Sequence, residues 1–281
     1  DGRGVIYGAM SVVEQLRNGA TLGAIKQEKG ETSRAFRAIK FDLPWESYRS
    51  SSALDLHLET VKDIKYWEKF LDMMVENRFN ALTLWNLHPF PYMIKSKNFP
   101  EASKFSDAEL AEWKKLHHAI FQMAKVRGID TYLLHWNIFV SQEFAKAHNL
   151  TSTNYYPYYR GEGNASELVK RYNRESVAQV LQEYPELTGY GFTFGEQMEG
   201  MLPQERQQWI EDVMIGGMRD AKRPVKMIYR MPQSAEANIG GSTSKETELL
   251  TRASVEKLGN DFETPIWVEF KFNWSHGHSA T

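Results

Sequence analysis

The chain has 281 residues, enough for one large domain or for one domain with a remnant of another. Apolar residues make up 42% and charged residues 25%, which suits a globular chain with a real core. A formal net charge of -2 and the lack of a dense Lys/Arg tract leave no electrostatic footprint for nucleic acid. No apolar run approaches a membrane span, and zero cysteines exclude disulfides, thiolate metal sites and a Cys nucleophile.

The chain opens at Asp1-Gly2-Arg3-Gly4 with neither an initiator Met nor a signal-like segment; either a leader has been removed or the sequence starts inside a longer protein, and the second is favoured. From Gly4 to Leu16 the apolar positions Val5, Ile6, Met10, Val13 and Leu16 recur at helical spacing, and Asn18-Gly19 supplies a stop. A polar connector runs to about Ser33. Ala38–Asp42 is then a short strand closed by Pro44, Val61–Asn80 a helix, and Ala81–Trp85 a second strand.

Ser106 with Glu109 forms a capping box that opens a helix to Val126, and a third strand begins at Tyr132. Asn164–Tyr184 reads as a helix, Tyr190–Phe194 as a fourth strand, and Pro203 to Ala221 as a helix with proline at its first turn. Val225–Tyr229 is the fifth strand. Thr243 with Glu246 opens one more helix, and Ile266–Phe272 is the sixth strand.

Alternating strands and amphipathic helices imply parallel strands joined by right-handed crossovers. An open doubly wound sheet usually carries a Gly-rich turn after its first strand; here that turn is Leu43-Pro44-Trp45-Glu46. The expected fold is therefore α/β, a (β/α)8 TIM-type barrel truncated after the sixth strand. Six units leave an open edge, which missing barrel units or a partner chain is expected to cover.

In such barrels the chemistry lies where strands run into the following loops. The residues at those points are Asp42, Trp45 and Arg49; Trp85, Asn86 and His88; His135, Trp136 and Asn137; Glu196; Arg230; and Glu269, Lys271, Asn273, Trp274 and His276. Taken singly, each has a plain structural alternative: Asn86 a loop cap, Trp85 and Trp136 core packing, Arg49 a surface charge. Six consecutive strand ends bearing groups that bind hydroxyls or charge make the set more than a collection of caps.

Glu196 leads. The apolar stretch ending in Phe194-Gly195-Glu196 delivers a carboxyl to the barrel mouth, where shielding by Phe194 and Met198 would raise its pKa toward that of a general acid. The competing account is an acid at the start of the next helix. Along the sixth strand Glu269, Lys271 and Asn273 alternate with Val268, Phe270 and Phe272, so the polar set shares one face. Inward Glu and Lys are costly in a packed barrel unless they pair with each other or serve a function. His276-Gly277-His278 raises a metal reading, but barrel hydrolases usually carry His-x-His on the first strand, and that place holds Asp42-Leu43-Pro44. No metal and no cofactor are expected.

Gly4-Val5-Ile6-Tyr7-Gly8 followed by Val12-Val13-Glu14-Gln15-Leu16 resembles the closing helix of the small α/β domain that precedes the barrel in hexosaminidase-like and α-glucuronidase-like glycoside hydrolases. Arg3-Gly4 and the Phe36–Asp42 strand sit where that order requires. The resemblance implies residues 1–33 as the end of such a domain and 34–281 as the first six barrel units. It also implies that Glu196 is similar in position to the general acid of α-glucuronidase families 67 and 115. One departure is informative: Gly195 stands where β-hexosaminidases carry an Asp before the Glu, which speaks against substrate-assisted acetamido chemistry.

The function so implied is glycoside hydrolysis of a poly- or oligosaccharide, with a uronic-acid-containing one as the finer expectation. Glu196 would be the acid, and Glu269 or a later carboxylate the base or nucleophile. Trp45, Trp85, Trp136 and Trp274 would be sugar platforms, Arg230 and Lys271 would bind a uronate carboxylate, and Asn86, His88, His135, Asn137 and Asn273 would bind hydroxyls. Asp42, Arg49 and His276 complete the substrate set. A carbohydrate substrate, no nucleic acid, no membrane span and a periplasmic or secreted location go with this reading. The rival classes are a non-catalytic carbohydrate-binding barrel and a metal-dependent hydrolase.

Overall fold

The computed structural model describes residues 2–27, 29–30, 33–47, 52–136, 138–150, 166–193, 201–230, 245–258 and 261–269. Six strands, β1 (Ala38–Asp42), β2 (Ala81–Asn86), β3 (Asp130–Trp136), β4 (Gly189–Thr193), β5 (Lys226–Arg230) and β6 (Glu263–Glu269), form one sheet in sequential order. Every neighbouring pair is parallel. This is the expected α/β architecture, a TIM-type barrel represented by six of its eight units.

The period of two along each strand separates two cores. Odd-numbered residues of β1 and β4 differ in fate because the strands enter in different register, but the sorting is consistent. Ile39, Phe41, Leu82, Leu84, Leu133, Tyr190, Phe192, Met227 and Tyr229 pack outward in the layer of helices. Ala38, Ala81, Trp85, Tyr132, Leu134, Trp136, Ile228 and Trp267 pack together inside the curl of the sheet. Phe36, just before β1, meets Trp267 of β6 with ring centroids 4.7 Å apart and Tyr132 at 6.0 Å. These rings fill the lower interior and draw the first and last strands toward each other without a shared ladder.

Room for them comes from β4. A Cβ on Gly189 would lie 2.5 Å from the Tyr132 ring and 2.9 Å from the Lys226 carbonyl oxygen; one on Gly191 would lie 2.9 Å from Leu134. The first two inward positions of β4, Gly189 and Gly191, carry no side chain, so β3 can fill the interior beside them.

The helices follow the sequence with three differences. A separate helix, α2 (Ser52–Lys62), precedes the one expected over Val61–Asn80, which is α3 (Ile64–Glu76) and starts where the Asp63 carboxylate accepts from Lys65 N at 2.9 Å. The capping box of α4 (Asp107–Val126) is as expected, with Ser106 and Glu109 bonded reciprocally. A short helix α5 (Gln142–Ala147), capped by Ser141, went unread because six residues carry too little periodicity. Then come α6 (Glu167–Glu183), and α7 (Pro203–Trp209), which continues through a π-helical turn at Ile210–Ile215 into α8 (Gly216–Asp220). α9 (Lys245–Leu258) precedes β6, which starts at Glu263 rather than at Ile266. The expected helix starts at Asn164 and Thr243 lie outside the described residues.

The first helix, α1 (Gly2–Arg17), lies against the turns leading into β2 and β3 and holds them through polar contacts. Arg3 donates to the Gly128 carbonyl at 2.6 Å and pairs with Asp130 at 2.7 Å, while Lys226 reaches the same Asp130 oxygen at 2.8 Å. Arg78 pairs with Glu14 at 2.9 Å, and Arg37 donates to the Tyr7 hydroxyl at 3.2 Å. Among the described residues no helix is long and apolar enough to cross a membrane.

Replacing Gly189 with Ala is expected to cost about 1–3 kcal/mol, since the added methyl meets both a packed ring and a backbone oxygen. Urea denaturation of the variant should show a lower midpoint; an unchanged midpoint would mean that the Tyr132 ring yields freely.

Candidate active site

The C-terminal ends of the strands carry two separate sets of side chains, one inside the curl and one behind it. Inside are Lys40 and Asp42 of β1, Trp85 of β2, Trp136 of β3, Arg230 of β5 and Glu269 of β6. The register places Asp42 beside Trp85, and Trp136, Thr193, Arg230 and Glu269 in one row across four strands.

The two indoles meet edge to face with centroids 5.6 Å apart. Trp85 is 2% exposed, and its ring NH donates to the Thr83 hydroxyl at 3.0 Å, which fixes its orientation. Lys40 Nζ stands 4.0 Å from the Trp85 ring and 5.8 Å from Trp136; the Arg230 guanidinium carbon stands 5.0 and 5.6 Å from the same two rings. Both cations therefore rest on aromatic faces, an arrangement that offsets part of the cost of bringing positive charge into a narrow space.

Two carboxylates answer them. Lys40 Nζ lies 3.7 Å from Asp42 Oδ1, and Arg230 Nε lies 3.5 Å from Glu269 Oε1. Burial pushes the Glu269 carboxyl up, against the opposing pull of Arg230 and then Lys40. Burial also pushes the Lys40 ammonium down, with Asp42 resisting and Arg230 adding to the fall. Raising a carboxyl's pKa makes it a stronger base when ionised and keeps more of it protonated near neutral pH.

The second set faces the helices. Trp45 packs on Trp113 of α4 at 4.7 Å and on Tyr92 at 6.2 Å. The Asn86 amide donates to the Trp45 carbonyl at 2.6 Å and accepts from His88 N at 2.9 Å, so both of its ends tie loops together. His88 Nε2 meets the Tyr172 hydroxyl at 2.9 Å, and His135 Nδ1 meets the Tyr190 hydroxyl at 3.2 Å. Trp45, Asn86, His88 and His135 thus stand outside the barrel wall, apart from the mouth where the sequence reading assembled them. The cause is alternation. Asn86 and His135 follow or precede inward-facing tryptophans by one residue, and a one-residue step reverses the face.

Of the expected set, the structure brings Asp42, Trp85, Trp136, Arg230 and Glu269 together. Arg49, Asn137, Glu196, Lys271, Asn273, Trp274 and His276 lie outside the described residues. Lys40 joins the assembled side chains from inside β1 rather than from its tip; its place two residues before Asp42 in Ala38-Ile39-Lys40-Phe41-Asp42 is the signal for it in the sequence. Among the described residues no group of three His, Asp or Glu side chains is arranged to hold a metal ion.

No protein-family model matches the chain, and no curated protein sequence matches it. Among solved structures it is similar to a GH138 enzyme targeting pectin rhamnogalacturonan II, at 25% identity and a TM-score of 0.71, over 85% of this chain and 28% of that one. It is similar in fold to a β-N-acetylhexosaminidase from Bacteroides fragilis, at 12% identity and a TM-score of 0.53, over 99% of this chain and 53% of that one. A GH20 β-N-acetylhexosaminidase from Streptomyces coelicolor aligns at 9% identity with a TM-score of 0.51, over 85% and 48%. The chain thus spans about a quarter to a half of the length of these enzymes. All three are glycoside hydrolases.

Two measurements test the electrostatics. Replacing Arg230 with Met removes the nearest charge that favours ionised Glu269, so the Glu269 carboxyl should titrate at higher pH than in the parent protein, as read by carboxyl 13C shifts. An unmoved titration would mean that the pair is not coupled. The second concerns the buried histidines. Burial holds His117 at about 4 and His135 at about 3, and burial with His135 nearby holds His88 well below the ordinary value. Unfolding lets all three take up protons below about pH 6.5, so stability is full above that value and declines as the pH falls. The loss should approach about 1.4 kcal/mol per pH unit for each histidine. Urea midpoints at pH 7 and pH 5 check it, and equal midpoints would contradict it.

Proposed function

We propose that this chain forms the catalytic face of a glycoside hydrolase that works through paired carboxylates. The observation that carries the reading is the mouth itself, where a burial-raised carboxyl, Glu269, stands beside Arg230 at the same end of the sheet at which β4 terminates. Likeness in fold to glycoside hydrolases supports the reaction class. Glu196, three residues beyond the last residue of β4, is the proton donor to the leaving oxygen. Glu269 is the second carboxylate, acting on water or on the sugar carbon, and its raised basicity suits either task.

The finer reading concerns the sugar. Lys40 and Arg230 stand at the mouth beside Asp42 and Glu269, and a substrate carboxylate is the group that either cation would hold best through charge-assisted hydrogen bonds. Lys271 belongs to the same set. A uronic-acid residue at the scissile position follows from this. Trp85 and Trp136, with their faces occupied by cations, shape and orient the mouth rather than offering open stacking platforms. Residues 1–33 are assigned to the end of a preceding domain, with α1 seated on the barrel floor.

In the full protein, Glu196→Gln and Glu269→Gln should each lower hydrolysis by about 10²–10⁴-fold while leaving the thermal unfolding curve intact. The measurement is release of reducing ends from a panel of pectic and uronic-acid-containing oligosaccharides. Parent-level rates in the Glu196 variant would remove it from the mechanism.

A further inference from the structure

The two cations at the mouth differ in what they leave open to a ligand. The Arg230 side chain is 5% exposed, its guanidinium lies over both the Trp85 and Trp136 rings, and its Nε stands 3.5 Å from Glu269 Oε1. Rings and carboxylate together commit Arg230 to Glu269. The Lys40 side chain is 41% exposed and keeps its Nζ 4.0 Å from the Trp85 ring. Its ammonium is the accessible cation of the pair.

Lys40 also has a replaceable neighbour. Asp42, the next inward residue of β1 toward the strand tip, is 31% exposed, and its Oδ1 stands 3.7 Å from Lys40 Nζ. That distance is beyond a direct hydrogen bond, and an accessible ion pair of this kind shifts an equilibrium by no more than about fivefold. Contact with the Trp85 face holds the ammonium independently of Asp42. One carboxylate can therefore take over from another without moving the cation.

Charge limits what can arrive. Lys40 and Arg230 are balanced by Asp42 and Glu269, so these four side chains together carry no net charge when all are ionised. A singly charged carboxylate enters such a site against less repulsion from Asp42 and Glu269 than a doubly charged phosphate.

We propose that Lys40 is the residue that selects an acidic sugar, and that Asp42 stands beside its ammonium in the free protein where the substrate carboxylate stands on binding. Arg230 is then a positioning residue for Glu269 rather than a ligand for the sugar acid. The inference rests on the uronic-acid reading of the same mouth and divides its two cations between two tasks.

The test compares galacturonate with galactose, two rings that differ in bearing a carboxylate or a hydroxymethyl group. The full protein is titrated with each while the Trp85 indole N–H is followed by NMR. The parent should bind galacturonate about tenfold or more tighter than galactose, the worth of a charge-assisted hydrogen bond. Lys40→Met, which keeps an apolar stem over Trp85, should bring that ratio close to one, and Lys40→Arg should restore part of it. Asp42→Asn should tighten galacturonate about two- to fivefold and leave the galactose constant in place; a purely structural ion pair predicts no such gain. The proposal fails if the parent does not prefer galacturonate, if Lys40→Met keeps the preference, or if Asp42→Asn weakens galacturonate binding. Hydrolysis of the oligosaccharide panel with a preference indifferent to Lys40 would overturn this inference and spare the catalytic one. A Lys40-dependent preference in a protein that cleaves nothing would do the reverse.

Discussion

Within the curl of the sheet, space is the limiting quantity, and the residues of β4 and β3 divide it between them. Tyr132 and Leu134 can turn inward only because Gly189 and Gly191 present no side chain to them. With the lower interior filled by Tyr132, Phe36 and Trp267, the upper interior is left to Trp85 and Trp136. Those indoles in turn give Lys40 and Arg230 the faces on which they rest. The charge at the mouth thus depends on packing several layers beneath it. A change that shifted Tyr132 would be felt at Glu269 without any contact between them.

The two histidines behind the wall follow a different logic. His88 and His135 are buried among Phe90, Tyr172 and Tyr190, and burial keeps them uncharged. His88 joins the loop after β2 to α6 through Tyr172, and His135 joins β3 to β4 through Tyr190. The Asn86 amide acts likewise, linking the backbone after β1 to the backbone after β2. Polar residues at strand ends therefore divide into those that face the mouth and those that hold it in place.

That division shows what the sequence could and could not reveal. The order of elements was legible because each strand is short and apolar and each long helix is capped or periodic; the Ser106–Glu109 box and the Pro203 start are cases in point. The helix α2 was hidden because Val61 is the one residue of it that is buried, which leaves little apolar periodicity to read. Asp42, Trp85, Trp136, Arg230 and Glu269 were found by their position at strand ends. His135 and Asn86 were grouped with them because a list of strand-end residues ignores the alternation of faces. Lys40 needed the opposite correction: its parity with Asp42 was in the sequence, but its partners on β2, β3 and β5 are distant in the chain.

The floor of the barrel carries a feature with wider reach. One oxygen of Asp130 holds both Arg3 of α1 and Lys226 of β5, so a single anion fastens the first helix and the fifth strand to the third. Neutralising that anion would not merely delete two attractions. It would leave two like charges facing each other across a small gap, converting a clasp into a wedge. The energetic effects of altering Arg3, Asp130 and Lys226 are therefore non-additive, because all three share one oxygen.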